Sequence, residues 1–299
     1  MLWRLWASPN GINRYKHGQE SWALVTGASD GIGKACVPFL PASSVAKALA
    51  QKGFHVLLHG RNPTKLTAVR SELAAECPNA QFEIVVADAT KSALAREVAE
   101  ACKGRTVTIL VNNAGYTSTL IQPLETQDYD AVQRGIDIGC SWTTQLTRAL
   151  LPQLRADAPA AVVNVGSYVA RHPPPFLAVY AGTKGYMLAF SRALRTELAL
   201  LSPSPISVQY HEIHSVATKA NGSPVSLAAP HPDVMARAII VAIGRDKEYV
   251  TPYWVHELTS WVLRVLPERV VARMAGGILQ GQRTDIKRGE GEEAGGVGE

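Results

Sequence analysis

Cysteine is scarce in this 299-residue sequence, and Cys36, Cys77, Cys102 and Cys140 are scattered with no CxxC pair and no metal-ligand spacing. That argues against a disulfide framework and a zinc site, and makes a reducing compartment the default. Long apolar runs are missing as well. No stretch of 18 or more uncharged apolar residues occurs, and residues 1–7 are too short, and lack a cleavage pattern, for a signal peptide. Neither a spanning helix nor a secretory leader is therefore expected. Basic clusters are absent too: the 30 Lys and Arg residues are dispersed and not interleaved with aromatics, so nucleic acid is not an expected partner. The net charge of +5 suits an anionic cofactor instead. What is abundant is apolar material, 46% of the chain, enough for one large core.

Along the chain, apolar runs of strand length alternate with Ala/Leu-rich stretches of helical periodicity. The strand candidates are Trp22–Thr26, Phe54–His59, Glu83–Ala87, Val107–Val111, Ala161–Val165, Ile206–Tyr210 and Glu248–Pro252. Strand–helix alternation of this kind predicts an α/β fold with a doubly wound parallel sheet, covered on both faces. Residues 1–20 read as an N-terminal extension, 21–252 as the catalytic domain, 253–280 as an apolar helical extension and 281–299 as a disordered tail. The tail assignment rests on Glu290, Glu292, Glu293 and Glu299 in a Gly-rich setting.

Thr26 to Gly33 reads TGASDGIG, directly after the first strand and before a helix. Such glycines permit a tight turn and let backbone approach a pyrophosphate, and the helix start offers free N–H donors to the phosphates. A plain structural turn uses glycines too, so the triplet alone decides little. Position adds to it: the second strand ends in His59-Gly60-Arg61-Asn62, where an acidic side chain would favour NAD. Arg61 can pair with a 2′-phosphate instead, so NADP(H) is the expected cofactor.

Tyr180 and Lys184 form YxxxK, a pair expected roughly 0.3 times by chance from nine Tyr and eleven Lys. Context sharpens it, because the following stretch is strongly helical and residues four apart share a face. A close ammonium favours the phenolate and brings Tyr180 nearer to neutrality as an acid/base. Ser167, thirteen residues upstream at a strand end, could hydrogen-bond a substrate oxygen beside it.

Together TGxxxGxG, Asn112-Asn113-Ala114-Gly115 after the fourth strand, Ser167 and Tyr180-Ala-Gly-Thr-Lys184 resemble the short-chain dehydrogenase/reductase family over about Trp22 to Tyr253. The resemblance implies a Rossmann-type single domain with NADP(H) held by Gly27, Ser29, Asp30, Gly31, Ile32, Gly33, Arg61, Asp88, Asn113, Ala114, Gly115, Tyr180, Lys184, Val216 and Thr218. It implies Tyr180 as acid/base, Lys184 as its pKa partner and ribose ligand, and Ser167 as the carbonyl orienter. No metal is implied.

A narrower similarity, to very-long-chain 3-oxoacyl-CoA reductases and 17β-hydroxysteroid dehydrogenases, rests on Thr26 to Lys34, Arg61, Val216-Ala-Thr-Lys219 and the apolar C-terminal segment. It implies a small-molecule carbonyl substrate of lipid-like character, with a ketone of specialised metabolism or a purely dinucleotide-binding role as alternatives. It further implies a place at the endoplasmic reticulum membrane surface, with the cytoplasm as the alternative; peripheral membrane contact and a homo-oligomer are open partner expectations. Trp254, Leu258, Trp261, Val262 and Val265 have helical spacing, which reads either as a membrane or partner surface or as core packing.

Three features depart from the family pattern. Cys36 to Ser44, with Pro38 and Pro41, intervenes before the helix expected at Val45–Lys52, so that helix should be broken or bulged; a real loop and a wrong exon boundary both read this way. Gly139 stands where the family usually carries a proton-relay Asn, so Gly139→Asn is expected to raise turnover modestly. Ile213-His214 replaces a common Pro-Gly, and His211 and His214 read as packing or substrate-pocket polarity rather than ligands.

Overall fold

Short runs of Val, Ile, Leu and Ala that must be buried on both sides are satisfied by a parallel sheet lined with helices on each face. The computed structural model, which describes residues 11–18, 20–28, 41–115, 121–201, 206–218, 224–277 and 279, has that architecture. Strands β1 (Ser21–Thr26), β2 (His55–Gly60), β3 (Phe82–Val86), β4 (Thr106–Asn112), β5 (Ala160–Val165), β6 (Ile206–His211) and β7 (Tyr249–Val250) pair in parallel in the order β3-β2-β1-β4-β5-β6-β7. Every expected strand is present, displaced by one or two residues at most at its ends. Strand order reverses between β1 and β4, and it is outside the carboxyl ends at such a switch point that doubly wound sheets bind ligands.

Side chains alternate between two cores. Ala23 and Val25 face α1 (Ala42–Ala50), α2 (Pro63–Glu76) and α7 (Pro232–Ile243), whereas Trp22 and Leu24 face α3 (Ala95–Ala101), α5 (Thr143–Ala156) and α6 (Ala178–Leu201). Ile12 and Tyr15, from the expected N-terminal extension, are buried in the first core. Local chemistry sets the helix starts: Asn62 accepts from Lys65 N at 3.0 Å with Pro63 in the first turn, and Asp128 accepts from Ala131 N at 2.8 Å to open α4 (Tyr129–Ile136).

Two elements differ from expectation. Helix α1 begins at Ala42, inside the Cys36–Ser44 stretch, because Pro41 with φ −59° sits at its N-cap and cannot obstruct a helix that starts after it. Residues 36–40 of that stretch lie outside the described residues. Between α4 and α5 the helix continues through a π-helical stretch, Asp137–Trp142, whose i→i+5 bonding shifts the faces that ordinary helical periodicity assigns.

After β7 the chain forms α8 (Trp254–Val265) and a further helical stretch, residues 268–277. Helix α8 is inverted with respect to polarity: His256 and Ser260 are buried while Trp254, Leu258, Trp261, Val262 and Val265 are exposed. Among the described residues, no helix is long and apolar enough to cross a membrane.

Candidate active site

At the switch point, Gly27 adopts φ +81°, and a β-carbon there would lie 3.0 Å from Ala114 Cα. Only glycine lets the β1 turn come this close to the loop after β4. Thr26 joins the two: its hydroxyl donates to Val111 O at 3.2 Å and accepts from Asn113 N at 3.0 Å and Ala114 N at 2.9 Å. Asn113, Ala114 and Gly115 thus border the crevice opposite Gly27. One residue earlier, the Asn112 amide nitrogen is committed to the scaffold, donating to Thr147 Oγ1 and Asn164 Oδ1, while its buried Oδ1 has no hydrogen-bond partner among the described residues. These glycine-lined walls fit a dinucleotide. Ser29, Asp30, Gly31, Ile32 and Gly33 lie outside the described residues.

Arg61 follows β2 and Asp88 follows β3, so the two occupy neighbouring strand ends. Burial works to raise the Asp88 carboxyl, but hydrogen bonds from Thr90 and the nearby Arg61 charge outweigh it and hold the pKa below its ordinary value. Val216 and Thr218 are buried in the loop after β6.

Ser167, Tyr180 and Lys184 converge beyond the end of β5 and are all buried. Ser167 is positioned by its backbone, for Tyr210 Oη accepts from Ser167 N and donates to Ser167 O, both at 3.0 Å. The Tyr210 ring occupies the space over Gly166, where a β-carbon would lie 2.0 Å from Cζ. Lys184 Nζ donates to Val165 O at 2.8 Å and stands 5.8 Å from the centre of the Tyr180 ring. Desolvation brings the Lys184 ammonium down to about 8. The Tyr180 phenol is pushed well up by burial, with the Ser167 hydroxyl opposing. The expected lowering of this phenol by Lys184 is therefore not the balance the structure shows: desolvation dominates, and the ammonium is directed at Val165.

The π-helical stretch lies against this triad. A β-carbon on Gly139 would lie 2.7 Å from Thr183 Cβ, and Thr183 Oγ1 donates to Tyr180 O at 2.8 Å. Gly139 is a close-approach glycine rather than a vacant relay position. Asp137 accepts from Gln133 Nε2 at 2.9 Å in an exposed contact, whereas Cys140 lies close enough to Lys184 for each to act on the other's ionisation.

A second polar cluster was not anticipated. The buried carboxylate of Glu212 accepts from Tyr249, Ser260 and, at 3.5 Å, Thr251, and meets His214 Nε2 at 3.2 Å. Burial works to raise the Glu212 pKa, but the bonds from His214, Ser260 and Tyr249 bring it down to about 2. Ser260, His214 and Glu212 are the residue types of a hydrolase triad, yet Ser260 Oγ at 2.8 Å and Glu212 both address the same imidazole nitrogen. A triad needs serine and acid on opposite nitrogens, so this is a structural hub. His214 also packs against Tyr168 in a tilted arrangement at 4.9 Å and stacks on His256 at 4.8 Å. His211 is fully buried, meets Gln209 Oε1 at 2.9 Å and is driven by burial to about 3. Among the described residues no group of His, Cys, Asp or Glu converges as a metal site.

A sequence profile of the short chain dehydrogenase family matches residues 21–224. The chain belongs to that family. The very-long-chain 3-oxoacyl-CoA reductase of Kluyveromyces lactis is 31% identical over 268 residues, covering 84% of this chain and 73% of that one. A very-long-chain 3-oxoacyl-CoA reductase-like protein of Arabidopsis thaliana is 30% identical, covering 90% and 83%. Among solved structures, a short-chain dehydrogenase from Sphingobium yanoikuyae in complex with NADPH superposes with TM-score 0.66 at 24% identity, covering 83% of this chain and 96% of that one. A metagenomic short-chain oxidoreductase in complex with NADP gives 0.62 at 25% identity, covering 78% and 96%. As a short-chain dehydrogenase the protein is an oxidoreductase acting on CH–OH/C=O groups with a nicotinamide dinucleotide.

Proposed function

We propose that this short-chain dehydrogenase is an NADPH-dependent reductase, reversible as an alcohol dehydrogenase, that acts on the ketone of a lipid-like substrate such as a 3-oxoacyl thioester or a steroid. The observation that carries the reading is the convergence of buried Ser167, Tyr180 and Lys184 beside the glycine-lined crevice. NADPH, when bound, supplies the hydride that goes to the carbonyl carbon. Arg61 at the tip of β2 is the group suited to its 2′-phosphate, and Asp88 to its adenine. Gly27, Asn113, Ala114 and Gly115 line the crevice, and Val216 and Thr218 close it from the β6 side.

Ser167 orients the substrate carbonyl with its hydroxyl. Tyr180 donates the proton to the carbonyl oxygen; burial keeps the phenol protonated beforehand but makes it a weaker acid, so the step depends on nearby positive charge to offset the cost of the phenolate. Lys184 supplies positive charge near the phenolate that donation leaves behind, at 5.8 Å from the ring, and its ammonium is the donor available to a ribose. Beside them Ile121, Val169, Leu177 and Leu279 form a buried apolar cluster with Tyr180. That cluster, and the names of the relatives in the yeast and the plant, favour an acyl chain or steroid over a small polar ketone.

The test is NADPH fluorescence quenching followed by turnover with a panel of 3-oxoacyl thioesters, steroids and small ketones. Tyr180→Phe should abolish turnover and leave NADPH binding intact. Binding by the unmutated protein without reduction of any ketone would make it a dinucleotide-binding protein instead; a Tyr180→Phe variant that keeps most of its activity would overturn the assignment of roles. The exposed apolar face of α8 supports placement at a membrane surface, as for a peripheral protein of the endoplasmic reticulum.

A further inference from the structure

The end of the sheet away from the Arg61 side gathers positive charge that the chemistry above does not use. Arg171 and His172 close the turn that starts at Ser167, each donating its N–H to Tyr168 O at 3.1 Å. The Arg171 guanidinium lies 4.1 Å from the centre of the Tyr249 ring, and Arg264, near the end of α8, approaches the same ring at 5.8 Å. The two guanidinium carbons are thus within about 10 Å of each other. Among the described residues neither has an ion-pair partner. Both charges, with that of His214, also weigh on His172.

Among the described residues, the carboxylate that acts on Tyr249 together with the two arginines is Glu212, which is buried and already takes hydrogen bonds from Tyr249, Ser260, Thr251 and His214. Two guanidinium groups are therefore fixed around one aromatic ring, against their mutual repulsion, with neither in an ion pair among the described residues. Planar guanidinium forks bind phosphate and carboxylate in two-bond geometry, and an anion between them turns the repulsion into attraction.

The cofactor does not account for this charge. Five strand spacings separate β2 from β7, about 24 Å, so the tip that bears Arg61 is remote from Tyr249. The reacting centre is close: Tyr168, first in the turn that leads to Arg171, acts on the ionisation of Tyr180 and packs tilted against His214.

We propose that Arg171 and Arg264 form an anion-recognition site at the substrate mouth, and that the substrate carries a phosphate or carboxylate group besides its ketone. The inference rests on the reading of the chain as a carbonyl reductase and narrows it. A neutral steroid leaves the pair unused. An acyl thioester on a phosphorylated carrier, or a free 3-oxo acid, supplies the charge.

The experiment presents one 3-oxoacyl chain in three forms: as the coenzyme A thioester, as the uncharged N-acetylcysteamine thioester and as the free acid. For Arg171→Gln/Arg264→Gln, the kcat/KM ratio of charged to uncharged thioester should fall about ten- to a hundredfold, with the loss in KM. Arg171→Lys/Arg264→Lys should keep much of the ratio, because charge is retained. A shift to the free acid as the discriminated substrate identifies carboxylate rather than phosphate as the ligand group. In the Gln variant, unchanged discrimination of both the coenzyme A thioester and the free acid from the uncharged thioester overturns the proposal, as does an equal loss on charged and uncharged forms.

A binding measurement separates this failure from failure of the reductase reading. Free coenzyme A is titrated calorimetrically into NADPH-saturated protein and into the folded Gln variant. Binding that the variant loses, in a protein that reduces no ketone, sinks the reductase reading and leaves the anion site standing. Ketone reduction without any binding that depends on Arg171 or Arg264 does the reverse.

Discussion

Burial moves Tyr180 and Lys184 apart in proton affinity, raising the phenol and bringing the ammonium down to about 8. A lysine in the unfolded chain keeps its ordinary value near 10.5. Between pH 8 and 10.5 the unfolded state therefore binds the proton that the folded state has released, so stability rises with pH across that window. Below pH 8 the buried charge costs about 3 kcal/mol. Lys184→Met should then be more stable than the unmutated protein in urea at pH 7, with a gap that closes as pH approaches 10.5. A gap independent of pH would show that the charge is not what strains the site.

Arg61→Asp should exchange NADPH preference for NADH, since a charge-assisted contact is worth about 1.5 to 3 kcal/mol, or one to two powers of ten in affinity; equal use of both cofactors by the unmutated enzyme would remove the basis for NADP. Gly139→Asn, expected from the sequence to help, should instead hurt. Its β-carbon collides with Thr183, so overpacking of about 1–3 kcal/mol and a displaced Tyr180 should lower both melting temperature and kcat, and Gly139→Ala should already show the effect.

At the scale of elements, Glu212 ties three pieces together: β7 through Tyr249, α8 through Ser260 and the loop after β6 through His214. Its carboxyl titrates at about 2 against an ordinary 4.5. The stability this contributes, about 3 kcal/mol, is present above pH 4.5 and is lost as pH falls towards 2. Glu212→Gln should lower the unfolding free energy by about that amount at pH 7, with the difference shrinking by pH 3 in acid-titrated melts. Little of this hub was legible beforehand. The strands could be read because burial on both faces leaves a continuous apolar run, and Ser167, Tyr180 and Lys184 because their order along the chain is distinctive. Tyr210 clasps Ser167 from 43 residues away, and the partners of Glu212 are spread over β7 and α8. Contacts of that kind leave no spacing in a sequence. Cys140 was missed for another reason: the π-helical turn rotates it towards Lys184, where a count of 100° per residue misplaces it.

For the molecule as a whole, α8 decides how the protein meets its surroundings. Its inner face is spent on polar contacts, His256 meeting Ala228 O at 3.1 Å and Ser260 meeting Glu212, so its apolar residues have only the outside left. Trp254 and Trp261 are each more than half exposed, and Val270, Met274, Arg269 and Arg273 of the next helical stretch are exposed as well. Tryptophans beside arginines suit the interface of an anionic bilayer, where indole rings and aliphatic groups bury and guanidinium groups meet headgroups. Deleting Tyr253 to Leu279 is a poor test, because it would strip Glu212 and His214 of their partners and open the apolar cluster at Tyr180. Trp254→Gln/Trp261→Gln acts mainly on the outward face, its one ring contact there among the described residues being between Trp254 and Tyr253. The unmutated protein should float with vesicles containing phosphatidylserine and the double variant should stay in the soluble fraction, since burying each indole is worth about 2 kcal/mol or more. Turnover of a water-soluble substrate should be alike in both. If the intact protein does not float at all, the membrane reading is gone, and sedimentation of the same pair will show whether a second copy of the chain covers this face instead.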